Sequence, residues 1–312
     1  MPSIISVIVP TLNRPDDLMV FVDSLKKQTI KPLELVIVDA GTIDSLEKML
    51  QDALKGSGIS LQYTKSEPGT SLQRNVAMKL AKGEIFFFFD DDIILEPDYI
   101  EQTLPCFEIP HNPPVGAVLG TFNSPYTMTK WKLKYAKLFR MTHTDNTDSP
   151  RVMSSGAVCW SIEPSKVIPI PVCSGGRVAF RRECFHEAQW DTFLPGYTMS
   201  EDVEISYRIA KKWTLVQNPD AKLYHKKSPV SRDKYGERVA RLIYSRYYFF
   251  QKNLPKTPRH LVGFTWWNIG VLLLYTNVAM FKTKGKPADT LKGLKKGYSL
   301  CFQHLFKKEI NP

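Results

Sequence analysis

Glu84-Ile85-Phe86-Phe87-Phe88-Phe89-Asp90-Asp91-Asp92 is an apolar, aromatic run that ends in three consecutive carboxylates. A strand buried on both faces of a parallel sheet reads as a continuous apolar run, and ligands of open α/β sheets gather at the carboxyl ends of such strands. The stretch therefore predicts a central strand whose end presents Asp90, Asp91 and Asp92. Carboxylates this close repel one another unless a cation is shared among them. Oxygen ligands suit Mg2+ or Mn2+, which complete their shells with substrate phosphates. A solvated acidic turn behind a core strand is the other reading of the same residues.

Outward from this strand, residues 3 to about 125 alternate strand and helix signals at βα spacing. Ile4–Val9 is an apolar β-branched run, and Asp16–Gln28 places Leu18, Phe21, Val22 and Leu25 on one helical side. Leu33–Asp39 is a second buried strand that also stops at a carboxylate. A helix over Asp44–Leu54, a strand at Ile59–Tyr63 and a helix near Ser71–Ala81 precede the phenylalanine run. The pattern implies an α/β fold, a mostly parallel sheet covered by helices on both faces. Pro10-Thr11-Leu12-Asn13-Arg14, Asp39 and Asp90–Asp92 should then converge along one sheet edge.

The pattern loosens between Asn123 and Val172, where Thr129–Arg140 is basic and carries Trp131, Tyr135, Leu138 and Phe139 at helical spacing, the mark of a surface helix packed on the core. Ser174-Gly175-Gly176 then turns into a strand, and a helix over Met199–Lys212 begins with Glu201-Asp202, where capping and the helix dipole favour carboxylates. Ala221–His225 reads as a short strand and Asp233–Asn253 as a basic, tyrosine-rich helix.

The chain of 312 residues, 43% hydrophobic and 23% charged, is ordinary for a globular protein and excludes global disorder. Its net charge of +11 is concentrated late: residues 222–312 carry 19 Lys/Arg against 4 Asp/Glu, whereas residues 1–221 carry 23 against 27. Five cysteines without C-x-x-C spacing indicate neither a disulfide framework nor a zinc motif. The first ten residues lack the features of a signal peptide and read as the first strand.

The ordered set Val7–Arg14, Val36–Asp39, Gln73–Ala77, Ala81–Ile85, Asp90–Asp92, Ser174–Gly176, Phe180–Arg182 and Glu201–Glu204 resembles the family 2 glycosyltransferases of the GT-A fold over roughly Ser3 to Lys234. The resemblance implies that Asp92 and Asp90 hold a divalent metal on the diphosphate of a nucleotide sugar, with Asp90 or Asp91 near the ribose. It implies that Asp39 accepts a hydrogen bond from the base, typically uracil, and that Pro10, Thr11, Asn13 and Arg14 line the nucleoside. Arg74 would lie near the pyrophosphate or base. Asp202 would be the general base toward an acceptor hydroxyl, giving inversion, with Glu201 orienting the acceptor. Gly175 and Gly176 would line the sugar pocket, and His225 would approach the metal. Structural readings stand beside these: Asp39 as a turn cap, Arg74 as a solvated helix residue, His225 as a lone strand-end histidine. The absence of a Q-x-x-R-W motif and of several long apolar spans separates the chain from the processive polysaccharide synthases.

Leu261–Phe281 holds no charged residue, and basic residues flank it on both sides. Phe264, Trp267, Val271, Leu274, Val278 and Phe281 form one helical stripe, and Leu291, Leu294, Tyr298, Phe302 and Leu305 a second in a lysine-rich segment. These suit a helix lying on an anionic membrane rather than crossing it, and no nucleic-acid motif accompanies the charge. The sequence thus predicts a GT-A catalytic domain over residues 1–230, with a nucleotide half to 122 and an acceptor half from 123. A basic, aromatic, membrane-associating helical extension follows over 231–312. The function predicted is metal-dependent transfer from a UDP-sugar to a glycan or lipid-linked glycan on the cytosolic face of a membrane. A sugar-phosphate nucleotidyltransferase and a catalytically silent membrane-associated binding protein are the alternatives.

Overall fold

The computed structural model describes residues 4–123, 128–145, 149–162, 164–193, 200–228, 234–281 and 287–310. The chain separates into two compact units, one of Met1–Tyr126, Asn146–Ser149 and Ser161–Ser231, the other of Thr127–Asp145, Pro150–Trp160 and Arg232–Pro312.

In the first unit β1 (Ile5–Thr11), α1 (Pro15–Lys26), β2 (Glu34–Asp39), α2 (Leu46–Leu54), β3 (Ser60–Lys65), α3 (Thr70–Leu80) and β4 (Ile85–Phe89) alternate as the sequence predicts. Helix α1 opens with Pro15, whose missing N–H costs nothing there, and with Asp16 and Asp17 against the helix dipole. Its Leu18, Phe21, Val22 and Leu25 are fully buried. β5 (Ile93–Leu95), α4 (Tyr99–Thr103) and β6 (Val115–Phe122) follow. The chain then leaves for the second unit through α5 (Lys130–Leu138), β7 (His143–Asp145), β8 (Arg151–Val152) and β9 (Val158–Ser161). It returns with β10 (Ile168–Ile170), β11 (Arg177–Arg181), α6 (Glu201–Ile209) and β12 (Thr214–His225).

Nine strands of the first unit form one sheet in the order β10-β12-β6-β11-β4-β1-β2-β3, with β5 paired to β12. β4, β1, β2 and β3 run parallel, as do β6 and β12, whereas β11 lies antiparallel between β4 and β6. The phenylalanines of β4 alternate as strand geometry requires. Phe86 and Phe88 meet Phe185 on one face, where Phe88 also meets Phe180 and Trp190, and Phe87 and Phe89 meet Tyr99 on the other. All four are essentially unexposed, which explains why no polar residue interrupts the run.

The second unit packs α7 (Tyr235–Asn253), α8 (Pro258–Phe281) and α9 (Pro287–Ile310) around Val239, Ile243, Tyr247, Trp267, Val271, Leu294 and Cys301. β7, β9 and β8 pair in that order as a separate small sheet.

Three local expectations change. The last strand of the sheet is β12, starting at Thr214 rather than Ala221, because the polar Gln217 and Asn218 that hide it in the sequence are buried and bonded to Thr121 Oγ1 and the Gln102 carbonyl. Thr129–Arg140 does form a helix, yet only Tyr135 and Phe139 of its stripe pack inward, and Trp131 and Leu138 stay exposed. In α8 the stripe of Phe264, Trp267, Val271 and Leu274 faces protein, and the exposed side is a different apolar one. No helix of the described residues is long and apolar enough to cross a membrane.

The ends of β1 and β2 are tied together by Gln73, a buried residue of α3 whose Nε2 donates to the carbonyls of Thr11 and Val38 at 3.0 and 2.7 Å. Replacing it with leucine removes both bonds and leaves buried acceptors short of a partner. Gln73→Leu is expected to destabilise the protein by about 1–3 kcal/mol in denaturant unfolding. An unchanged midpoint would remove Gln73 as the clamp.

Candidate active site

Parallel register levels the strand ends: Thr11 pairs with Asp39, and Ile8 with Phe88, so the segments after β1, β2 and β4 emerge along one edge. Antiparallel β11 brings its beginning to the same edge, since Arg177 pairs with Phe89. Gly176 therefore lies directly beside Asp90, and Gly175 beside Arg74 and Asp202. Gly176 has a φ of +75°, and a Cβ there would sit 2.3 Å from Asp90 Oδ2. Only glycine fits this backbone against that carboxylate.

The three aspartates have different surroundings. Asp91 turns inward, where Thr11 Oγ1 donates to it at 2.8 Å and Arg14 Nη1 at 3.0 Å. Burial pushes its pKa up to about 6, against the pull of Arg14 and Thr11. Asp92 is also buried, and burial alone would raise its pKa, but His225 and the Ser228 N–H outweigh that and hold it below the ordinary value. His225 Nε2 lies 3.2 Å from Asp92 Oδ1, and Ser228 N donates to Oδ2 at 2.9 Å. The imidazole stacks on Phe122, which fixes its plane. Asp90 is the most open of the three, its side chain 38% exposed. Ligand atoms of Asp90, Asp92 and His225 lie within 4.8 Å of one another. Two carboxylates and one imidazole in such a group fit a divalent ion of the Mg2+ or Mn2+ type.

Arg74 joins this cluster to α6. Its Nη2 reaches Asp90 Oδ1 at 3.4 Å and its Nη1 donates to Glu201 Oε1 at 3.1 Å, while the guanidinium lies 4.5 Å from the centre of the Trp190 ring. Asn75 locks Trp190 in place by exchanging two hydrogen bonds with its backbone. Arg74 is thus a buried counter-charge rather than a solvated helix residue. Burial and the adjacent Asp202 push the Glu201 pKa above the carboxylate range, and Arg74 opposes the shift. Asp202 accepts from the backbone N–H of Gly175 and, at 2.7 Å, from that of Val203. Its orientation is therefore set by backbone groups of two segments.

At the far side of the edge, Asp39 is fully buried. Its Oδ1 accepts from Gly41 N at 2.6 Å and its Oδ2 from Tyr63 OH and Lys65 Nζ, both at 2.7 Å. The turn-capping reading of Asp39 is thus realised, together with an ion pair. Asn13, at a φ of +53°, accepts from Thr42 N at 2.9 Å and ties the β1 turn to the β2 turn. Pro10 is the penultimate residue of β1, next to Thr11. Lys226 is engaged by Asp17 at 2.7 Å.

The model of the family described as "Glycosyl transferase family 2" matches residues 6–187, more than half of the chain. The chain belongs to this family. Among curated relatives, the chain is 33% identical over 119 residues to a glucosyl-dolichyl phosphate glucuronosyltransferase of Haloferax volcanii, covering 38% of this chain and 37% of that protein. It is 29% identical over 100 residues to the putative glycosyltransferase EpsH of Bacillus subtilis, covering 32% and 29%. The match spans about a third of the length of these relatives. Among solved structures, the mannosyltransferase PcManGT of Pyrobaculum calidifontis, in complex with GDP-Man and Mn2+, superposes with a TM-score of 0.58 at 18% identity over 96% of this chain and 88% of that one. Residues 1–349 of S. aureus TarS in complex with UDP-GlcNAc give 0.57 at 14% identity over 96% and 81%. These likenesses show the GT-A fold of this family 2 member.

Of the residues expected at the family 2 site, the structure brings Asp90, Asp92, His225, Arg74, Glu201, Asp202, Gly175 and Gly176 into one cluster. It places Pro10, Thr11, Asn13, Arg14, Asp39 and Asp91 in the adjoining framework of strand ends. Sequence reasoning missed Trp190, Tyr63 and Lys65. Tyr63 and Lys65 alternate on β3 toward Asp39, a signal that was readable; Trp190 sits in irregular chain and gave none.

Asp91 yields a signed pH test. In the unfolded chain its carboxyl titrates near 3.8, and in the fold near 6, so the folded state holds the proton more tightly. Its stabilising contribution is complete below about pH 4 and is lost as pH rises through about 6. Asn mimics the protonated form, so the stability of Asp91→Asn relative to wild type is expected to rise between pH 4 and 7 by at most about 3 kcal/mol. Urea unfolding at both pH values measures it, and a flat difference would show that Asp91 does not titrate there.

Proposed function

We propose that this family 2 member transfers a sugar from a nucleoside diphosphate donor, a UDP-sugar, to a hydroxyl of a glycan or lipid-linked glycan, with inversion. The single observation that carries the reading is the pairing across Arg74 of two carboxylate groups, Asp90 with Asp92 on one side and Glu201 with Asp202 on the other. A leaving diphosphate and an attacking hydroxyl need opposite help, charge neutralisation for one and proton removal for the other. The cluster offers both within one edge of the sheet.

Asp90, Asp92 and His225 are the residues that would hold a divalent ion. When bound, such an ion neutralises the charge that the leaving diphosphate gains. The donor set supports this: Asp92 is held ionised by His225 and Ser228 N, and Asp90 is open to a ligand. The PcManGT structure, with GDP-Man and Mn2+, is a precedent of the same fold. Asp202, fixed by the Gly175 and Val203 N–H groups, accepts the proton of the acceptor hydroxyl, and direct attack gives inversion. Glu201, held by Arg74, orients the acceptor. Gly175 and Gly176 give the donor sugar close approach to the backbone. Pro10, Thr11, Asn13 and Arg14 line the nucleoside. Asp39 takes the base through Oδ2 when Lys65, 44% exposed and therefore the movable partner, swings away.

The second unit supplies a contact with the cytosolic face of an anionic membrane. The outward side of α8 exposes Val262 at 69%, Leu273 at 53%, and Trp266, Ile269 and Leu272 at about two-fifths each. Trp266 Nε1 donates to the Leu138 carbonyl, joining this apolar ridge to the exposed Leu138 of the lysine-rich α5. An apolar ridge beside Lys130, Lys132, Lys134 and Lys137 suits a lipid interface more than water. This is where a lipid-linked acceptor would be met.

Asp202→Asn is expected to keep nucleotide-sugar affinity within about threefold while lowering transfer by about 10²–10⁴-fold; calorimetry and a product assay measure the two, and undiminished transfer would remove Asp202 as the base. Val262→Asp with Leu273→Asp is expected to abolish sedimentation with phosphatidylglycerol vesicles while preserving donor hydrolysis. Equal sedimentation of the double variant would end the membrane assignment of this face.

A further inference from the structure

A second cluster of metal-ligating side chains lies in the small sheet of the second unit, apart from the residues discussed for sugar transfer. His143 and Asp145 stand two positions apart on β7 and so share one face. Cys159 belongs to the neighbouring strand β9. A ring nitrogen of His143, the Sγ of Cys159 and a carboxylate oxygen of Asp145 lie within 4.8 Å of one another. Tetrahedral ligand atoms around an ion with bonds of about 2.0–2.3 Å are separated by somewhat less than this, so small side-chain movements close the group.

The histidine supplies an independent observation. His143 is only 3% exposed, and its Nδ1 lies 2.9 Å from the Met141 carbonyl oxygen. A carbonyl only accepts, so Nδ1 carries the proton and Nε2 keeps its lone pair. That Nε2 is buried and has no hydrogen-bond partner. A buried acceptor left alone is destabilising, so the position calls for an occupant. An imidazole whose Nδ1–H is anchored on a backbone carbonyl is also the arrangement that orients metal-bound histidines.

We propose that His143, Asp145 and Cys159 form a binding site for a zinc-type divalent ion, with a fourth position open to water or an external ligand. Thiolate, imidazole and carboxylate together suit a borderline-soft ion such as Zn2+ or Co2+, whereas the Asp90, Asp92 and His225 group lacks sulfur and suits Mg2+ or Mn2+. Charge balances: one thiolate and one carboxylate neutralise a dication. Lys137, 2.7 Å from Asp145, and Arg151, opposite Cys159 in the β8–β9 register, lie beside the group and favour the ionised carboxylate and thiolate. On binding, the Cys159 S–H bond breaks, its proton passes to solvent and the sulfur lone pair forms the metal bond, so affinity rises with pH. Bound there, the ion ties β7 to β9.

Co2+ titration of the full chain after chelator treatment tests this, because a thiolate-to-cobalt charge-transfer band reports sulfur ligation whatever the state of catalysis. One equivalent is expected to develop the band, Zn2+ to displace it, and excess Mg2+ or Mn2+ to leave it. Asp92→Ala is expected to retain the band, Cys159→Ser to lose it, and Asp145→Asn, at a half-buried position, to weaken Co2+ binding by about tenfold or more. Absence of the band in the wild-type chain overturns the proposal. So does a band that survives Cys159→Ser or a Co2+ affinity untouched by Asp145→Asn.

Discussion

Like charges at short range are the constraint on which the first unit depends. Asp90, Asp91, Asp92, Glu201 and Asp202 crowd one sheet edge, and no fold tolerates that density of carboxylate without counter-charge. Each receives its own remedy. Arg14 and Thr11 take Asp91, His225 and Ser228 N take Asp92, Arg74 is divided between Asp90 and Glu201, and the N–H groups of Gly175 and Val203 take Asp202. The aromatic packing of β4 beneath them gives those remedies a rigid base, because a strand with four unexposed phenylalanines cannot shift its end without opening a core.

Three strands of the parallel half were legible because they are buried on both faces and therefore almost wholly apolar. β1, β2 and β4 announce themselves this way, and each stops at a polar or acidic residue that marks the edge. β12 was legible only in part, since Gln217 and Asn218 are satisfied by partners far away in sequence that no local pattern encodes. The small sheet of β7, β8 and β9 was invisible for a related reason: its strands are two to four residues long, too short for alternation to show.

Among the site residues, those at strand ends or in glycine turns could be read in order along the chain. Their division of labour could not. Nothing in Asp90-Asp91-Asp92 says that the middle carboxylate turns inward to Thr11 and Arg14, because these residues form the turn between β4 and β5, where the alternation of a strand no longer applies. Nor does the sequence of α3 reveal that Arg74 rests on Trp190, 116 positions later, since that contact exists only once the sheet is assembled.

Arg74 also has a thermodynamic consequence. A guanidinium is planar and rigid, and here its two terminal nitrogens serve carboxylates from segments more than a hundred residues apart. Any change of field at Asp90 is felt by the proton affinity of Glu201, and the reverse holds with equal magnitude, because linkage between two sites is reciprocal. The charge state of Asp90 and the protonation of Glu201 are thus not independent variables: a single side chain couples them, without any movement of the backbone.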